Sequence, residues 1–303
     1  NKFIDNNSKI IPDLKQIDIL NNDPLLFLTS CTVIAGIDDF CIDSDLANYM
    51  FIRLLISQLF PILAILIGSI LLIRQFWIFL RKKSIAWPKV VSLPLSLVDM
   101  TLLIAGGFVV LGEVLVPAII LPLIGPLIKG LGQPIEDSLK VLIGYSAMTF
   151  PPLLILRYQI NGLRNVDLPK GGWLQWKLKP FTSAINKAII GWLMVMPLVL
   201  LVGWLMNSFV GDQGGSNPLL ELVLNSQDSL ALVLLVLTTV VFAPLFEELV
   251  FRGALLPVLT RKFGSFGGIA ISALVFAIAH LSVGELPPLF VLGLGLGVMR
   301  LST

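Results

Sequence analysis

Apolar runs of about 20 residues recur along most of this chain, and they leave few folds open to it. A helix of that length crosses the roughly 30 Å hydrocarbon core of a bilayer while satisfying its own backbone hydrogen bonds. The predicted fold class is therefore an all-α polytopic membrane protein with seven transmembrane helices. The predicted spans lie near Phe51–Ile73, Leu93–Val116, Leu139–Leu156, Ala188–Phe209, Leu230–Leu259, Phe266–Val283 and Leu286–Leu301.

The composition agrees with a membrane protein and argues against two other classes. Of the 303 residues, 56% are hydrophobic and 13% are charged, and the mean hydropathy is +0.93. These values are too apolar for an ordinary soluble domain. The net charge is +2 and no tract is dense in Lys and Arg, so we expect no nucleic-acid partner.

The loops between the predicted spans alternate in charge, and this alternation predicts their orientation. Residues 74–89 and 157–187 are rich in Lys and Arg, which places both loops on the cytoplasmic side of the membrane or its topological equivalent. The acidic segment 211–229 then lies on the opposite side. A bacterial inner membrane is the favoured location, and a thylakoid or other chloroplast membrane fits the same pattern.

The same pattern divides the chain into three segments. Residues 1–49 are predicted to form an acidic extramembrane arm on the outer or lumenal side, followed by N-terminal transmembrane helices in residues 50–227. Residues 228–303 contain the helices with the charged motifs described below. Both cysteines, Cys31 and Cys41, lie in the arm, where an oxidising compartment would permit a disulfide. Two free thiols are the equally open alternative.

Ionisable side chains interrupt the two spans that precede the last one. Glu247, Glu248 and Arg252 lie in the fifth predicted span, and His280, the single histidine, lies in the sixth. Such groups are costly in hydrocarbon and mark a candidate functional site. Taken singly, each has a structural alternative: an ion pair buried for packing, an interfacial side chain, or a histidine that binds a backbone carbonyl.

Counting along the chain places the two motifs at one depth. If the fifth and sixth spans form an antiparallel hairpin, the midpoint between the glutamates and His280 falls at Phe263 and Gly264, within RKFGSFGG. The motifs then lie about 24 Å from the turn along their helices, at 1.5 Å per residue. The carboxylates and the imidazole are therefore predicted to meet in one site.

The spacing predicts different roles for the two glutamates. Glu248 and Arg252 are four residues apart on one helix face, where an acid and a base pair with one another. Glu247 points about 100° away, which leaves it as the candidate general base for a water held between it and His280. Glu247, Glu248 and His280 could alternatively bind zinc. Because the chain has one histidine and no HExxH motif, no cofactor is the favoured expectation.

The sequences APLFEELVFRG and ALVFAIAH resemble the CAAX prenyl protease and bacteriocin-processing (CPBP, or Abi) family of intramembrane endopeptidases, whose motifs are EExxxR and FxxxH. The resemblance covers Asp228 to the end of the sequence. It implies a bundle of about eight helices around a cavity open to lipid and water. It also implies that Glu247 and His280 activate the water, with Glu248 and Arg252 in support. A third family motif, HxxxN, is expected in an eighth helix after residue 303.

Three functions follow as hypotheses. The first is an intramembrane endopeptidase that cleaves a membrane-associated peptide or protein, with membrane lipid as its other partner. The second is a catalytically idle relative that serves as a scaffold or assembly factor for a membrane protein complex. A transporter or channel is the third, based on Asp99 and Glu113 in the second span, although both lie near its predicted ends, where water is close.

Overall fold

A computed structural model describes residues 44–81, 93–163, 180–211 and 228–302, with residues 168, 169, 172–174, 222, 223 and 226. Every regular element in this part of the chain is helical, which confirms the all-α fold class. The chain comprises two compact units, Asn1–Ile67 and Gly68–Thr303. The predicted arm, apart from its last six residues, and the predicted Cys31–Cys41 pair lie outside the described residues.

Seven helices make up the described fold. Two of them result from a break at Gly264 within Ser229–Ala279, where the backbone has φ 72° and ψ 172°. The helices are α1 (Ser44–Arg81), α2 (Leu97–Ile128), α3 (Gln133–Asn161), α4 (Phe181–Val210), α5 (residues 229–263), α6 (residues 265–279) and α7 (Leu286–Ser302).

The seven predicted membrane crossings are not confirmed. Five segments of the described chain are long and apolar enough to cross a membrane: Phe51–Arg81, Leu97–Ile128, Gln133–Asn161, Phe181–Phe209 and Ser229–Ala279. The fifth and sixth predicted spans both fall within the last of these segments, where they are separated by the break at Gly264. The seventh corresponds to α7, which has 17 residues and is shorter than the other apolar helices.

Helix α5 supplies much of the buried core of the second unit. It packs against α3, while α2 packs against α3 and α7 packs against both α4 and α6. Phe246 and Phe251 of α5 meet Phe108 of α2, with ring centroids 5.7 Å and 5.9 Å apart. Aromatic pairs at such separations add stabilisation beyond the area that they bury. This packing fixes the middle of α5, where the charged motif lies.

Helices α5 and α6 run antiparallel and turn at the residue that the count predicts. Gly264 has a positive φ, which glycine adopts without the steric cost that a Cβ would bring. Beyond the turn, Gly268 lies against Thr260, and further along Phe276 lies against Phe251, with ring centroids 5.2 Å apart. The hairpin therefore brings the two sequence motifs to the same level.

Helix α7 packs closely through its glycines. A Cβ on Gly293 would lie 2.9 Å from the Cα atom of Ala273 in α6, and one on Gly295 would overlap a methyl group of Val195 in α4. Gly297 faces Ile269 of α6. Small residues in membrane helices allow this close approach, so α7 is held between α4 and α6.

Replacing Gly268 with alanine is expected to destabilise the hairpin. Its Cβ would lie 2.7 Å from backbone atoms of Thr260, which cannot move aside as a flexible side chain can. Overpacking of this kind costs about 1–3 kcal/mol. Thermal unfolding in one detergent measures the effect, with Gly203→Ala as the control, because the Cβ there meets an atom of Pro288 at an ordinary 3.9 Å. Equal melting temperatures for the two variants would contradict the prediction.

Candidate active site

The charged motif of α5 lies where its helical turns widen. Residues Glu248–Leu255 form i→i+5 hydrogen bonds, and Glu247 immediately precedes them. Helical turns of this kind are rare and are frequently found at functional sites, although α2 contains a longer stretch of them at Leu102–Leu115. Residues 250–255 are buried. The glutamates therefore stand at the start of a well-packed segment.

Glu247 and His280 come together across the hairpin. Glu247 Oε1 lies 4.0 Å from His280 Nε2, and the two side chains are 23% and 25% exposed. The separation is too long for a direct hydrogen bond. At this separation one water molecule beside the pair can contact both groups. The structure thus brings Glu247 and His280 together, as the sequence predicts. Their roles in activating a water molecule stay a prediction.

A backbone contact fixes the tautomer of His280. Its Nδ1 atom lies 2.8 Å from the carbonyl oxygen of Phe276, one turn earlier in α6. A carbonyl oxygen can only accept, so Nδ1 donates and carries the proton. In the neutral imidazole, Nε2 is then an acceptor that faces Glu247. His280 caps the C-terminal end of α6, and its own amide donates to the carbonyl of Ala277.

Arg252 is buried between Glu248 and an aromatic ring. Its Nε atom lies 3.5 Å from Glu248 Oε2, at the i,i+4 spacing that predicts the pair, and the residue is 2% exposed. Its Cζ atom lies 4.2 Å from the centroid of the Phe276 ring. That ring also meets the imidazole of His280 edge to face, with centroids 4.6 Å apart. Phe276 therefore connects the arginine to the histidine, and it is the phenylalanine of the FxxxH motif.

Arg300 is a further charged neighbour that the sequence reasoning missed. It is the basic residue of the last turn of α7 and lies within electrostatic range of Glu248. Its Nη2 atom donates to the carbonyl oxygen of Leu174 at 3.4 Å. Glu248 thus has two guanidinium groups within electrostatic range, whereas Glu247 has that of Arg252. The sequence feature that could have identified Arg300 is that it is a single charged residue in the otherwise apolar helix α7.

The two acidic residues of the second span have different surroundings. Asp99 forms a capping box with Ser96 at the start of α2, which accounts for it structurally. Glu113, in contrast, lies within electrostatic range of Glu247 and of the Tyr145 hydroxyl in α3. The expected position of Glu113 near a span end is corrected, because α2 continues to Ile128 and Glu113 lies in its middle. The sequence feature that could have identified Glu113 as a site residue is an acidic side chain within an apolar run.

The arrangement of these donors does not fit the zinc alternative. Among the described residues, no group of three or more His, Cys, Asp or Glu side chains is placed to hold a metal ion. Glu247 and His280 face one another, whereas Glu248 is occupied by Arg252. A catalytic zinc site needs about three protein ligands.

A cavity lies next to this site, between α3 and α5. Its volume is about 260 Å³, and its walls are mostly apolar. Tyr145 is one of the lining residues, and its hydroxyl also lies close to Glu247. The residues that line the cavity are Tyr145, Ser146, Thr149 and Leu153 of α3, with Phe242, Leu245, Phe246 and Leu249 of α5.

Comparison with known proteins gives a family match for the C-terminal part of the chain. No curated protein and no solved structure matches the chain. A sequence model described as Type II CAAX prenyl endopeptidase Rce1-like matches residues 229–303. The matched segment contains both motifs and suggests a protease of the CAAX type, while Glu113 and Tyr145 lie outside it. Residues 229–303 are thus similar to the Rce1-like type II CAAX prenyl endopeptidases, which confirms the resemblance carried by EExxxR and FxxxH.

Proposed function

We propose that this protein is an intramembrane endopeptidase that hydrolyses a peptide bond of a membrane-associated substrate. The observation that carries the proposal is the approach of Glu247 to His280, with Nε2 of the histidine left as an acceptor. The match of residues 229–303 to a family of endopeptidases supports the same reaction class. The scaffold and transport alternatives have no observation in their favour.

The nucleophile in this mechanism is a water molecule beside Glu247 and His280. It donates one hydrogen to Glu247 Oε1 and the other to His280 Nε2, so that a lone pair of its oxygen points away from both acceptors. A peptide carbonyl carbon placed there is attacked in a favourable geometry. Holding the reactants in this way removes much of the entropic cost of bringing them together.

Proton transfer then follows a balanced path. As the water oxygen bonds to the carbonyl carbon, Glu247 takes one proton from it. The tetrahedral intermediate collapses when its C–N bond breaks, and the proton passes from Glu247 to the leaving nitrogen. The immediate products are a carboxylic acid, which keeps the second hydrogen of the water, and an amine, and Glu247 returns to its ionised form. At neutral pH the acid then gives up that proton and the amine takes one, so the released products are a carboxylate and an ammonium group.

Glu248 and Arg252 position these groups in the proposed mechanism. Arg252 pairs with Glu248 and lies over the ring of Phe276, whose carbonyl holds His280. A positioning network of this kind keeps reacting groups within a fraction of an ångström of the productive geometry. The substrate is a peptide or protein that reaches the site from the bilayer, and membrane lipid surrounds the helices. We assign the basic loops to the cytoplasmic side of the membrane.

The proposal is tested with the full chain purified in detergent and reconstituted into vesicles. We expect it to cleave membrane-associated peptides at single bonds, with products identified by mass spectrometry. Because the donor set does not fit a metal site, the rate should stay unchanged after treatment with EDTA or 1,10-phenanthroline. Inhibition by both chelators, reversed by added zinc, would contradict the metal-free mechanism. Failure to cleave any presented peptide would favour the scaffold alternative.

A further inference from the structure

Two polar side chains outside the sequence motifs lie beside Glu247. Tyr145 of α3 packs edge to face against Phe246, the residue that precedes Glu247, with ring centroids 6.5 Å apart. Glu113 of α2 reaches the same place, because α2 and α3 approach closely there. A Cβ on Gly112 would lie 2.7 Å from the carbonyl oxygen of Met148. Three helices therefore bring a phenol and two carboxyl groups together in an apolar bundle.

Neither of these side chains has its hydrogen bonds satisfied within the described part of the chain. The Tyr145 hydroxyl oxygen and Glu113 Oε2 are both buried without a partner of good geometry. The tyrosine hydroxyl nevertheless lies close enough to Glu247 for a hydrogen bond once the two groups align. Buried polar groups are almost always paired, so two exceptions in one place require an explanation.

The chemistry of the three groups allows one fully paired chain. A tyrosine hydroxyl has one hydrogen to donate and lone pairs to accept, whereas an ionised carboxylate can only accept. If Glu113 and Glu247 were both ionised, they would compete for one hydrogen and repel one another. If Glu113 is protonated, it donates to the tyrosine oxygen, and the tyrosine donates to Glu247. Every group then has a partner.

We propose that Glu113 and Tyr145 are positioning residues for Glu247, joined to it by this directed hydrogen-bond chain. The inference rests on the proposed function and adds two residues from α2 and α3 to its site. In the proposed chain Tyr145 donates to the Oε2 atom of Glu247, so that Oε1, which lies 4.0 Å from His280 Nε2, stays free for the water. The chain thereby fixes which oxygen of the general base receives the proton.

Substitutions at the two positions test the direction of the chain. Tyr145→Phe is expected to lower kcat by about 10-fold to 100-fold with KM unchanged, the range for loss of one hydrogen bond to a charged group. Glu113→Leu should cause a similar loss. Glu113→Gln should recover most of it, because the amide also donates to the tyrosine oxygen. The controls are Tyr158→Phe, an 82% exposed tyrosine on the same helix, and Glu285→Gln, an exposed glutamate next to α7.

An infrared measurement separates this inference from the proposed function. Protonated Glu113 should give a carboxylic C=O stretching band in the purified full chain, and Glu113→Gln should remove it. This band does not depend on catalysis, so it can be read even if no peptide is cleaved. Full activity of Tyr145→Phe, equal losses for Glu113→Gln and Glu113→Leu, or the absence of the band would each overturn the inference. If the band is present but no peptide is cleaved, the inferred protonation stands and the proposed function fails.

Discussion

Replacing Glu247 with glutamine is expected to lower kcat for peptide hydrolysis by about 100-fold to 10,000-fold, the range for loss of a general acid–base group. Glutamine keeps the size of the side chain, so the buried site should fold as before. What it loses is the ability to take a proton from the water and return it to the leaving nitrogen. Initial rates on a membrane-reconstituted peptide measure the effect, with Glu285→Gln as the matched control.

The double variant Glu247→Gln/His280→Ala gives a sharper test of the shared water. Residues that act on the same molecule lose their effects together, so the double variant should be little slower than the slower single variant. If the two residues acted independently, the fold-losses of kcat in the two single variants would instead multiply in the double variant. Retention of more than about half of the activity in Glu247→Gln would contradict the proposed base, because that loss is far below the general-base range.

Replacing Arg252 with methionine should destabilise the protein and lower its activity. Methionine fills a similar volume but leaves Glu248 without its i,i+4 partner and removes the guanidinium from the Phe276 ring. A desolvated cation–π contact alone is worth about 2 kcal/mol, and the ion pair adds less because Glu248 is 47% exposed. Arg252→Lys should restore little, since an ammonium group cannot lie flat on the ring.

The melting temperature in detergent measures this loss, and Arg261→Met is the control. Arg261 lies on the same helix, is exposed, and donates one hydrogen bond to the carbonyl of Leu95 at 3.1 Å. We expect the control to change the free energy of unfolding by less than about 1 kcal/mol. Equal decreases in melting temperature for Arg252→Met and Arg261→Met would mean that Arg252 has no special structural role.

The helical fold and the hairpin turn could be predicted because local sequence determines both. Apolar runs set the helices, and Gly264 lies midway between the two motifs, so that counting alone located the turn. The number of crossings was harder to predict. A short apolar run such as α7 resembles a span in sequence, although it has only 17 residues. Hydropathy gives no fixed threshold for such a helix.

The neighbours of Glu247 could not be predicted, because they depend on packing between distant helices. Glu113 and Tyr145 reach the site through the close approach of α2 to α3, which no spacing within either helix reveals. Arg300 likewise depends on where α7 ends relative to α5. The sequence motifs identify the residues of one hairpin, while the surrounding helices complete the polar environment.

The end of α6 controls the chemistry of His280. In an uninterrupted α-helix, the amide of residue 280 would donate to the carbonyl of Phe276. Here that amide turns to Ala277 at 3.3 Å, and Leu281 adopts a φ of 52°, so the Phe276 carbonyl is free to bind the imidazole. An insertion that continued α6 past His280 would bring the amide of residue 280 to the same carbonyl, which would then share its two lone pairs between that amide and the Nδ1 proton. The end of one helix thus strengthens the bond that leaves Nε2 as the acceptor. A change in helix length alone would weaken that bond without altering any charged residue.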